Sequence, residues 1–363
     1  MKICFFIDDY SAVGGIQRVT SMVSSYLAKD NDVHVVSMYQ EHGDQNDTLY
    51  SENVYLKTLI PGEKKYIQQC FKMVKLLKNY IKNNNIDILI ATSEMLSPYC
   101  YLAIKGTHTK YIVWTHTPPL NNSEAKLQKI FKRLGVKTSS LTISLTEKSS
   151  NELKELYNVN HVTYIPNPID PKIIREVNYD SNSKKIITVG RICYQKYYEK
   201  LVEVAALILP DNKDWSWDIY GDGEIDRLKN LIKEKRLDSQ INLMGNVKDM
   251  YSRYKNYSFQ VMTSRFEGFP MTILEGLGCG LPIVSFNIPG VDEIIKDKRN
   301  GYLIKPYDAS EMAEVINNLI INKDTRKQIS SNNVNDRNDY SIDATCILWK
   351  KILNGVINNE MDM

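Results

Sequence analysis

The stretch that most constrains the fold runs from residue 257 to residue 286, where a strand pattern, a helix pattern and a second strand pattern follow one another. Residues 257–262 and 283–286 are apolar runs of strand length. Between them, Pro270 suits the first turn of a helix, because its fixed φ fits and its missing N–H would have no partner there. Gly280 and Pro282 end this helix, predicted over residues 271–279. The stretch therefore predicts one βαβ unit.

Two carboxylates, Glu267 and Glu275, lie around the start of the predicted helix. In such a unit the helix N-terminus faces the crevice at the carboxyl ends of the strands, where free N–H groups and the helix dipole bind phosphate. Both carboxylates would flank one anion site. A sugar nucleotide offers a diphosphate for the amides and hydroxyls for the carboxylates. A Glu that merely complements the dipole would explain Glu275 alone, but not the whole segment 267–275.

Residues 264–282 read SRFEGFPMTILEGLGCGLP, which closely resembles the signature of retaining glycosyltransferases of family 4, the group 1 transferases of GT-B fold. The resemblance implies an α/β protein with two Rossmann-like domains facing each other across a donor-binding cleft. It implies a catalytic role for Glu267. It also implies donor contacts from the following residues: Gly268, Phe269, Pro270, Met271, Thr272 and Glu275. The chain departs from the family at Gly276, where Ala is usual, which makes the helix slightly less stable.

A second candidate segment follows the strand predicted over residues 186–191, which ends in Gly190 and Arg191, with Lys196 five residues on. Arg offers a bidentate fork and Lys a point charge for a diphosphate, so both are candidate catalytic residues beside donor-binding Gly190. Alternatively, Arg191 and Lys196 are ordinary surface charges that are exposed to solvent and bind no ligand. The family usually has Gly after this Lys, whereas Tyr197 follows here. The turn at Gly245, Asn246 and Val247 resembles the family's base-binding edge.

The first half of the chain alternates strand and helix patterns, which predicts a Rossmann-like domain with a parallel sheet. The predicted strands are 1–8, 33–38, 54–56, 86–91, 110–115, 141–146 and 162–165, and the predicted helices are 16–29, 66–83 and 147–157. Gly14 and Gly15 lie in the first strand-to-helix loop and permit close approach of a ligand, although a plain tight turn fits equally. In the resembled family this loop faces the donor phosphates and the acceptor.

His116 stands at the end of a predicted strand, so it would point into the crevice. A lone His is more often structural. The resemblance favours a catalytic-site role, since family members carry a His there that touches the transferred sugar.

Three prolines at 166, 168 and 171 preclude regular structure and fit an interdomain connection. We expect a first, acceptor-side domain over 1–166, a linker over 167–185 and a nucleotide-sugar-binding domain over 186–340. Helices are predicted near 310–319, 325–331 and 343–356. In the GT-B fold the last of these, within 341–363, crosses back over the first domain.

Composition excludes several other classes. A net charge of +3 over 363 residues is too small for a nucleic-acid binder. Apolar runs are only strand-length, so no transmembrane helix is expected, and the first segment is a strand that meets Asp8 and Asp9 before reaching signal-peptide length. Six scattered cysteines without a C-x-x-C pair suit a reduced, cytoplasmic protein.

No cofactor or metal is expected. The glycines at 276, 278 and 280 do not form the G-x-G-x-x-G motif, and they lie inside a predicted helix rather than in the turn before one. A nicotinamide-binding site is therefore excluded, and close packing of the helix explains these glycines better. The histidines show no metal-binding spacing, and no Asp-x-Asp ends a strand as a metal-dependent GT-A transferase would need.

The chain is therefore interpreted as a retaining, metal-independent transferase that moves a sugar from a nucleotide-sugar, preferably a UDP-sugar. The resembled family implies a glycan or lipid-linked acceptor in bacterial surface polysaccharide synthesis. A nucleotide-sugar-binding pseudoenzyme that regulates a partner is the rival. The pseudoenzyme interpretation is disfavoured because the chain retains all the charged and catalytic candidates of the site, which are Glu267, Glu275, Arg191, Lys196 and His116.

Two segments of the first domain, 64–82 and 126–137, combine helical apolar spacing with several lysines. Basic amphipathic helices can rest on an anionic lipid surface, which predicts reversible contact with the inner face of a membrane. Ordinary surface helices, with the apolar stripe on the sheet and the lysines solvated, are an equal alternative.

Overall fold

The computed structural model describes residues 1–12, 14–40, 49–62, 69–120, 124–175, 179–247 and 249–360. The chain divides into two compact units. The N-terminal unit comprises Met1–Pro168 and Ile342–Met363, and the C-terminal unit comprises Ile169–Ser341.

The strands follow one another along the chain at regular intervals. They are β1 (Lys2–Ile7), β2 (Asp32–Ser37), β3 (Val54–Thr58), β4 (Ile88–Ala91), β5 (Lys110–Trp114), β6 (Leu141–Ser144), β7 (Val162–Tyr164), β8 (Lys185–Val189), β9 (Ser216–Tyr220), β10 (Ile241–Gly245), β11 (Phe259–Met262), β12 (Ile283–Phe286) and β13 (Gly301–Ile304).

Helices separate most of these strands. They are α1 (Gly15–Leu27), α2 (Cys70–Asn84), α3 (Ser97–Ile104), α4 (Lys126–Thr138), α5 (Glu147–Tyr157), α6 (Pro171–Arg175), α7 (Tyr198–Ile208), α8 (Ile225–Glu234), α9 (Tyr251–Tyr254), α10 (Met271–Gly278), α11 (Ala309–Ile321), α12 (Lys323–Asp336) and α13 (Ile342–Asn358).

Each unit is built on one parallel sheet. In the described part of the chain, the N-terminal sheet has the order β3-β2-β1-β4-β5-β6-β7 and the C-terminal sheet the order β10-β9-β8-β11-β12-β13. The strand order reverses between β1 and β4 in the first sheet and between β8 and β11 in the second. Ligands of doubly wound folds bind outside the carboxyl ends of the strands at such switch points. Both units are thus Rossmann-like, as predicted.

The cores explain why the strands read as continuous apolar runs. Helices cover both faces of a parallel sheet, so consecutive residues such as Ile3 to Ile7 are all buried. On one face of the N-terminal sheet, Met73, Leu77 and Ile81 of α2 pack into a cluster with strand residues including Phe6 and Leu89.

The predicted linker over 167–185 is wrong in one part. Residues 171–175 form helix α6, because Pro171 occupies the first turn, where a proline is tolerated. The preceding segment is also fixed in the C-terminal unit. The amide of Ile169 donates to the carbonyl of Tyr340 at 2.7 Å, and the Tyr251 hydroxyl donates to Asp170 Oδ2 at 3.0 Å. The described chain passes between the units at Pro168 and Ile169 and again at Ser341 and Ile342.

Other boundaries differ in detail. The helix predicted near 325–331 is the longer α12, and α3 and β13 were not predicted at all. The helix predicted over 66–83 begins at Cys70 in the structure, while residues 63–68 lie outside the described ranges, as do residues 176–178 of the predicted linker.

The C-terminal helix α13 belongs to the N-terminal unit. Its Trp349 is fully buried, with its ring centroid 6.1 Å from that of Phe5 on β1 and 4.8 Å from that of Trp114 on β5. Lys350, on the same helix, pairs with Asp30 after α1. None of the helices that the structure describes is both long and apolar enough to cross a bilayer.

Candidate active site

The switch point of the C-terminal sheet brings together two loops that carry predicted site residues. One follows β8 and contains Gly190, Arg191 and Lys196, and the other follows β11 and contains Glu267. Gly190 has φ +156°, and its carbonyl accepts a 2.7 Å hydrogen bond from the Tyr198 hydroxyl. The loops thus meet at the sheet edge where doubly wound folds bind ligands.

Lys196 and Glu267 form an ion pair at this edge. Lys196 Nζ donates to Glu267 Oε1 at 2.8 Å, and both side chains are mostly buried. Gln195 adds a second contact, since its Nε2 lies 3.3 Å from Glu267 Oε2 and 3.0 Å from the Phe266 carbonyl. The sequence analysis missed Gln195, because only the basic residues of its segment stood out. The two loops are therefore joined by charge and by hydrogen bonds.

Arg191 differs from Lys196 in its surroundings. It is exposed, and none of the described residues forms an ion pair or a hydrogen bond with its guanidinium. A free, planar fork of N–H donors is suited to a phosphate or carboxylate ligand.

The start of α10 lies directly after the Glu267 loop. Pro270 is its N-cap residue and supplies no side-chain acceptor, so the first amides, at Met271 and Thr272, are left uncapped by a side chain. Thr272 Oγ1 is enclosed and has no hydrogen-bond partner among the described residues. Both features leave polar groups for a ligand at this helix end.

Two neighbours of this helix start have packing roles. Phe269, predicted as a donor contact, is buried with its ring centroid 5.9 Å from that of Tyr340. Gly268 is approached closely by Gly290, where a Cβ would lie 2.2 Å from the Gly268 carbonyl oxygen. Gly290, at φ +83°, is a residue that sequence reasoning missed. Pro289, which precedes Gly290, indicates a turn in the sequence, but the sequence does not indicate which residues that turn contacts.

Glu275 lies inside α10 and is 3% exposed. Its Oε2 accepts a 2.7 Å hydrogen bond from the hydroxyl of Tyr254, a fully buried residue of α9. Burial, followed by the nearby Glu275 carboxylate, raises the pKa of Tyr254 well above its usual value. Tyr254 therefore remains a hydrogen-bond donor that fixes one oxygen of Glu275.

The three glycines of α10 and its end do allow close packing. A Cβ on Gly276 would lie 2.0 Å from Gln260 Oε1, and one on Gly278 would lie 2.9 Å from the Cγ2 atom of Ile173. Gly280 adopts φ +77°, which suits the residue after a helix. The departure from the family's usual Ala at position 276 thus makes room for Gln260.

The turn with Gly245, Asn246 and Val247 lies at the end of β10, on the same carboxyl edge. Gly245 has φ +67°, and its carbonyl accepts a 2.9 Å hydrogen bond from the Gly221 amide. Three strand spacings separate β10 from β11, or roughly 14 Å. An extended ligand along this edge would reach both ends.

Gly14 and Gly15 lie in the N-terminal unit, at the switch-point side of β1. Both are exposed, and Gly14 is an extended N-cap without a side-chain acceptor. A Cβ at Gly14 would lie 2.6 Å from Gln17 Oε1. The predicted loop also contains Val13, which lies outside the described residues.

His116 follows β5 in the N-terminal unit and is half-buried. Its ring centroid lies 4.5 Å from that of Trp114, and its Nε2 is enclosed without a hydrogen-bond partner among the described residues. Burial lowers the pKa of His116 to about 3. The imidazole is therefore neutral at neutral pH, and one ring nitrogen remains for a ligand.

The described residues contain no group of three or more His, Cys, Asp or Glu side chains arranged to hold a metal ion.

The comparisons with known proteins agree with this architecture. Residues 170–336 match the family model of glycosyl transferases group 1, and residues 13–173 match the model of glycosyltransferase family 4. Two parallel-sheet Rossmann-like units are the GT-B architecture predicted from the sequence. The chain belongs to the group 1 glycosyltransferases, and it is a transferase enzyme.

Individual relatives align over nearly the whole chain. An uncharacterized glycosyltransferase of Haemophilus influenzae is 29% identical, covering 97% of this chain and 99% of the relative. The amylovoran biosynthesis glycosyltransferase AmsD of Erwinia amylovora is 25% identical, with the same coverage of 97% and 99%. The structure of a mutant S. aureus TarM in complex with UDP and alpha-GlcNAc-glycerol superposes with a TM-score of 0.81 at 15% identity, covering 99% of this chain and 100% of that chain.

Proposed function

We propose that the enzyme transfers a sugar from a UDP-sugar to a glycan or lipid-linked acceptor, with retention of anomeric configuration and without a metal ion. The observation that carries the proposal is the Lys196–Glu267 pair, which joins the loop that carries Arg191 to the loop that precedes the uncapped start of α10. These groups supply positive charge and amide donors where a leaving diphosphate needs them. The UDP in the TarM complex supports the choice of nucleotide.

The proposed chemistry assigns a role to each group. The bond between the anomeric carbon and the diphosphate oxygen breaks, and a bond forms from that carbon to the acceptor hydroxyl oxygen. The acceptor proton passes to the departing phosphate. Arg191, Lys196 and the amides of Met271 and Thr272 stabilise the developing negative charge. Glu267 binds sugar hydroxyls, and for His116 we propose a contact with the transferred sugar.

The acceptor class rests on the relatives. AmsD is named for amylovoran biosynthesis, and the TarM complex contains a glycoside of glycerol with alpha configuration. A role in bacterial polysaccharide synthesis is the function that the name of AmsD shares with the family resemblance. An alpha product from an alpha-linked donor is also what retention gives.

Membrane contact is proposed for the outer face of α4 only. Leu127 and Ile130 of this helix are 54% and 60% exposed, beside the exposed charges of Lys126, Lys129 and Arg133. An apolar surface flanked by basic residues suits an anionic lipid interface. This contact would bring the enzyme to a lipid-linked acceptor.

Two parts of the sequence-based hypothesis change. The hypothesis takes the lysines of segment 126–137 as surface charges, but one of them, Lys132, is 1% exposed and paired, because it lies on the inner face of α4. The apolar stripe of α2 packs into the core through Met73, Leu77 and Ile81, which favours the ordinary surface helix there. Among the large apolar residues of α2, only Phe71 is strongly exposed.

Nucleotide binding tests the donor assignment. A ligand that binds only the folded protein raises its stability by RT ln(1 + [L]/Kd), about 2.7 kcal/mol at a hundredfold excess over Kd. Thermal shift with UDP, GDP and ADP should show the largest rise with UDP in the wild type and a smaller rise in Arg191→Ala. A larger rise with GDP or ADP would overturn the choice of uridine.

A further inference from the structure

A buried ionic cluster lies in the N-terminal unit, in the same part of the fold as His116. Its members are Glu94, directly after β4, Glu124, before α4, and Lys132 on the inner face of α4. Lys132 is 1% exposed and Glu94 is 5% exposed. Glu94 stands at the switch point of the N-terminal sheet, yet nothing in its sequence context marks it.

The cluster holds the residues on both sides of His116. Thr115 Oγ1 donates to Glu94 Oε2 at 3.2 Å, and Thr117 Oγ1 donates to Glu94 Oε1 at 2.5 Å. The two oxygens of one carboxylate thus bind the residues before and after His116. Lys132 Nζ donates to the next carbonyl, that of Pro118, at 2.9 Å.

The charges of the cluster are mutually dependent. Lys132 pairs with Glu124 and lies 3.9 Å from Glu94 Oε1. Buried ions are costly to desolvate, and their attraction offsets this only when geometry and hydrogen bonding are good. Apolar residues of similar volume would often serve stability as well. The cluster is therefore better explained by the geometry that it fixes than by stability alone.

We propose that Glu94 and Lys132 are positioning residues, which clamp the segment 115–118 and thereby fix the orientation of the His116 imidazole. The inference rests on the proposed contact between His116 and the transferred sugar. The Trp114 ring lies against the imidazole in a tilted contact, with an interplanar angle of 50°. Glu94 holds the threonine side chains on either side of His116, and Lys132 holds the backbone carbonyl of Pro118. Small misplacements of a group at a reacting centre cost large factors in rate, so such a clamp acts on kcat.

Thr117 offers the cleanest test, because it is exposed and its replacement leaves the buried charges paired. Thr117→Val removes the hydroxyl that binds Glu94 Oε1 at nearly constant shape, and Thr117→Ser retains it. Glu94→Gln is the second variant, since it keeps an oxygen acceptor but loses the charge. All are compared with wild type by thermal unfolding, kcat and KM for the donor, and histidine NMR.

We expect Thr117→Val and Glu94→Gln to lower kcat by about tenfold or more, with a smaller change in KM for the donor. The His116 resonance of selectively labelled enzyme should shift or broaden, while that of exposed His108 should not. Thr117→Ser should restore both kcat and the spectrum. Unchanged kcat in both Thr117→Val and Glu94→Gln, in an enzyme that His116→Ala inactivates, overturns the proposal, and so does an unchanged His116 resonance.

The spectra also separate this inference from the proposed function. They are recorded on the ligand-free enzyme and need no turnover. A displaced His116 in an enzyme for which His116→Ala is fully active would remove the proposed role of His116 and leave the clamp standing. An inactive His116→Ala variant together with a fully active Thr117→Val variant would remove the clamp and leave the proposed role of His116 standing.

Discussion

Lys196 Nζ lies 2.8 Å from Glu267 Oε1, although 71 positions separate the two residues in the chain. The pair joins the loop after β8 to the loop after β11, the two strands between which the sheet order reverses. One cation is thereby held at the edge where the donor diphosphate is proposed to bind, and one carboxylate is oriented beside it.

Removal of this cation should slow transfer. We expect Lys196→Met, which keeps the apolar stem and loses the charge, to lower kcat by about 10²–10³, the usual effect of removing one contact to a developing charge. Lys229→Met, on the exposed surface of α8 in the same unit, is the matched control and should retain wild-type kcat. Equal activity of Lys196→Met and Lys229→Met would contradict the assignment.

Position 276 should tolerate Ala only if Gln260 gives way. Ala normally stabilises a helix by about 1 kcal/mol relative to Gly, but here its Cβ would lie 2.0 Å from Gln260 Oε1. We expect Gly276→Ala to lower the free energy of unfolding by about 1–3 kcal/mol. In a double-mutant cycle with Gln260→Ala, denaturant unfolding should show that the two changes together cost less than their sum. A Gly276→Ala variant at least as stable as wild type would refute the steric account.

The neutral His116 should make the protein less stable in acid. Its pKa is about 3 when folded, against about 6.5 for an unfolded histidine, so the unfolded state binds more protons between these values. The free energy of unfolding therefore falls as pH decreases below about 6.5, by on the order of 2 kcal/mol between pH 7 and pH 5. His116→Gln should lack this component, while His108→Gln, at an exposed position, should keep it. Identical pH dependence of the two variants would show that burial of His116 does not control its ionisation.

Charge reversal on α4 tests the proposed membrane contact. Each basic residue near an anionic surface contributes about 1 kcal/mol, so Lys129→Glu with Arg133→Glu should weaken binding to anionic vesicles roughly thirtyfold or more. Lys132 is left intact, because it is buried and paired. Reversal of Lys72 and Lys75 on α2 is the matched control and should have little effect. If the α4 variant co-sediments with anionic vesicles as wild type does, the face has no such role.

The elements best predicted from the sequence are those with local start and stop signals. Helix α5 and strand β12 have the predicted bounds. Thr146 caps α5 by accepting from the Ser149 amide, and Asn158 ends it in a left-handed conformation. By contrast, α3 reads SPYCYLAI and has apolar residues on both its buried and its exposed sides, so no helical period reveals it.

The residues of the candidate site likewise divide into those that a local sequence signal identifies and those that it does not. A linear signature identified Glu267 and Glu275, and a strand-end pattern identified Arg191 and Lys196. Contacts between distant segments, such as Tyr254 with Glu275, leave no local signal. The helical charge pattern of α4 does not show which lysine faces inward, so the sequence does not distinguish buried Lys132 from the exposed lysines of that helix.

Turnover of a UDP-sugar tests the central claim most directly. Purified enzyme is incubated with each of several UDP-sugars in the presence of EDTA and without acceptor, and UDP release is measured beside Lys196→Met. The account predicts slow hydrolysis of at least one donor, unchanged by EDTA and lowered about 10²–10³ in the variant. Release that EDTA abolishes, or that Lys196→Met supports at the wild-type rate, would contradict it.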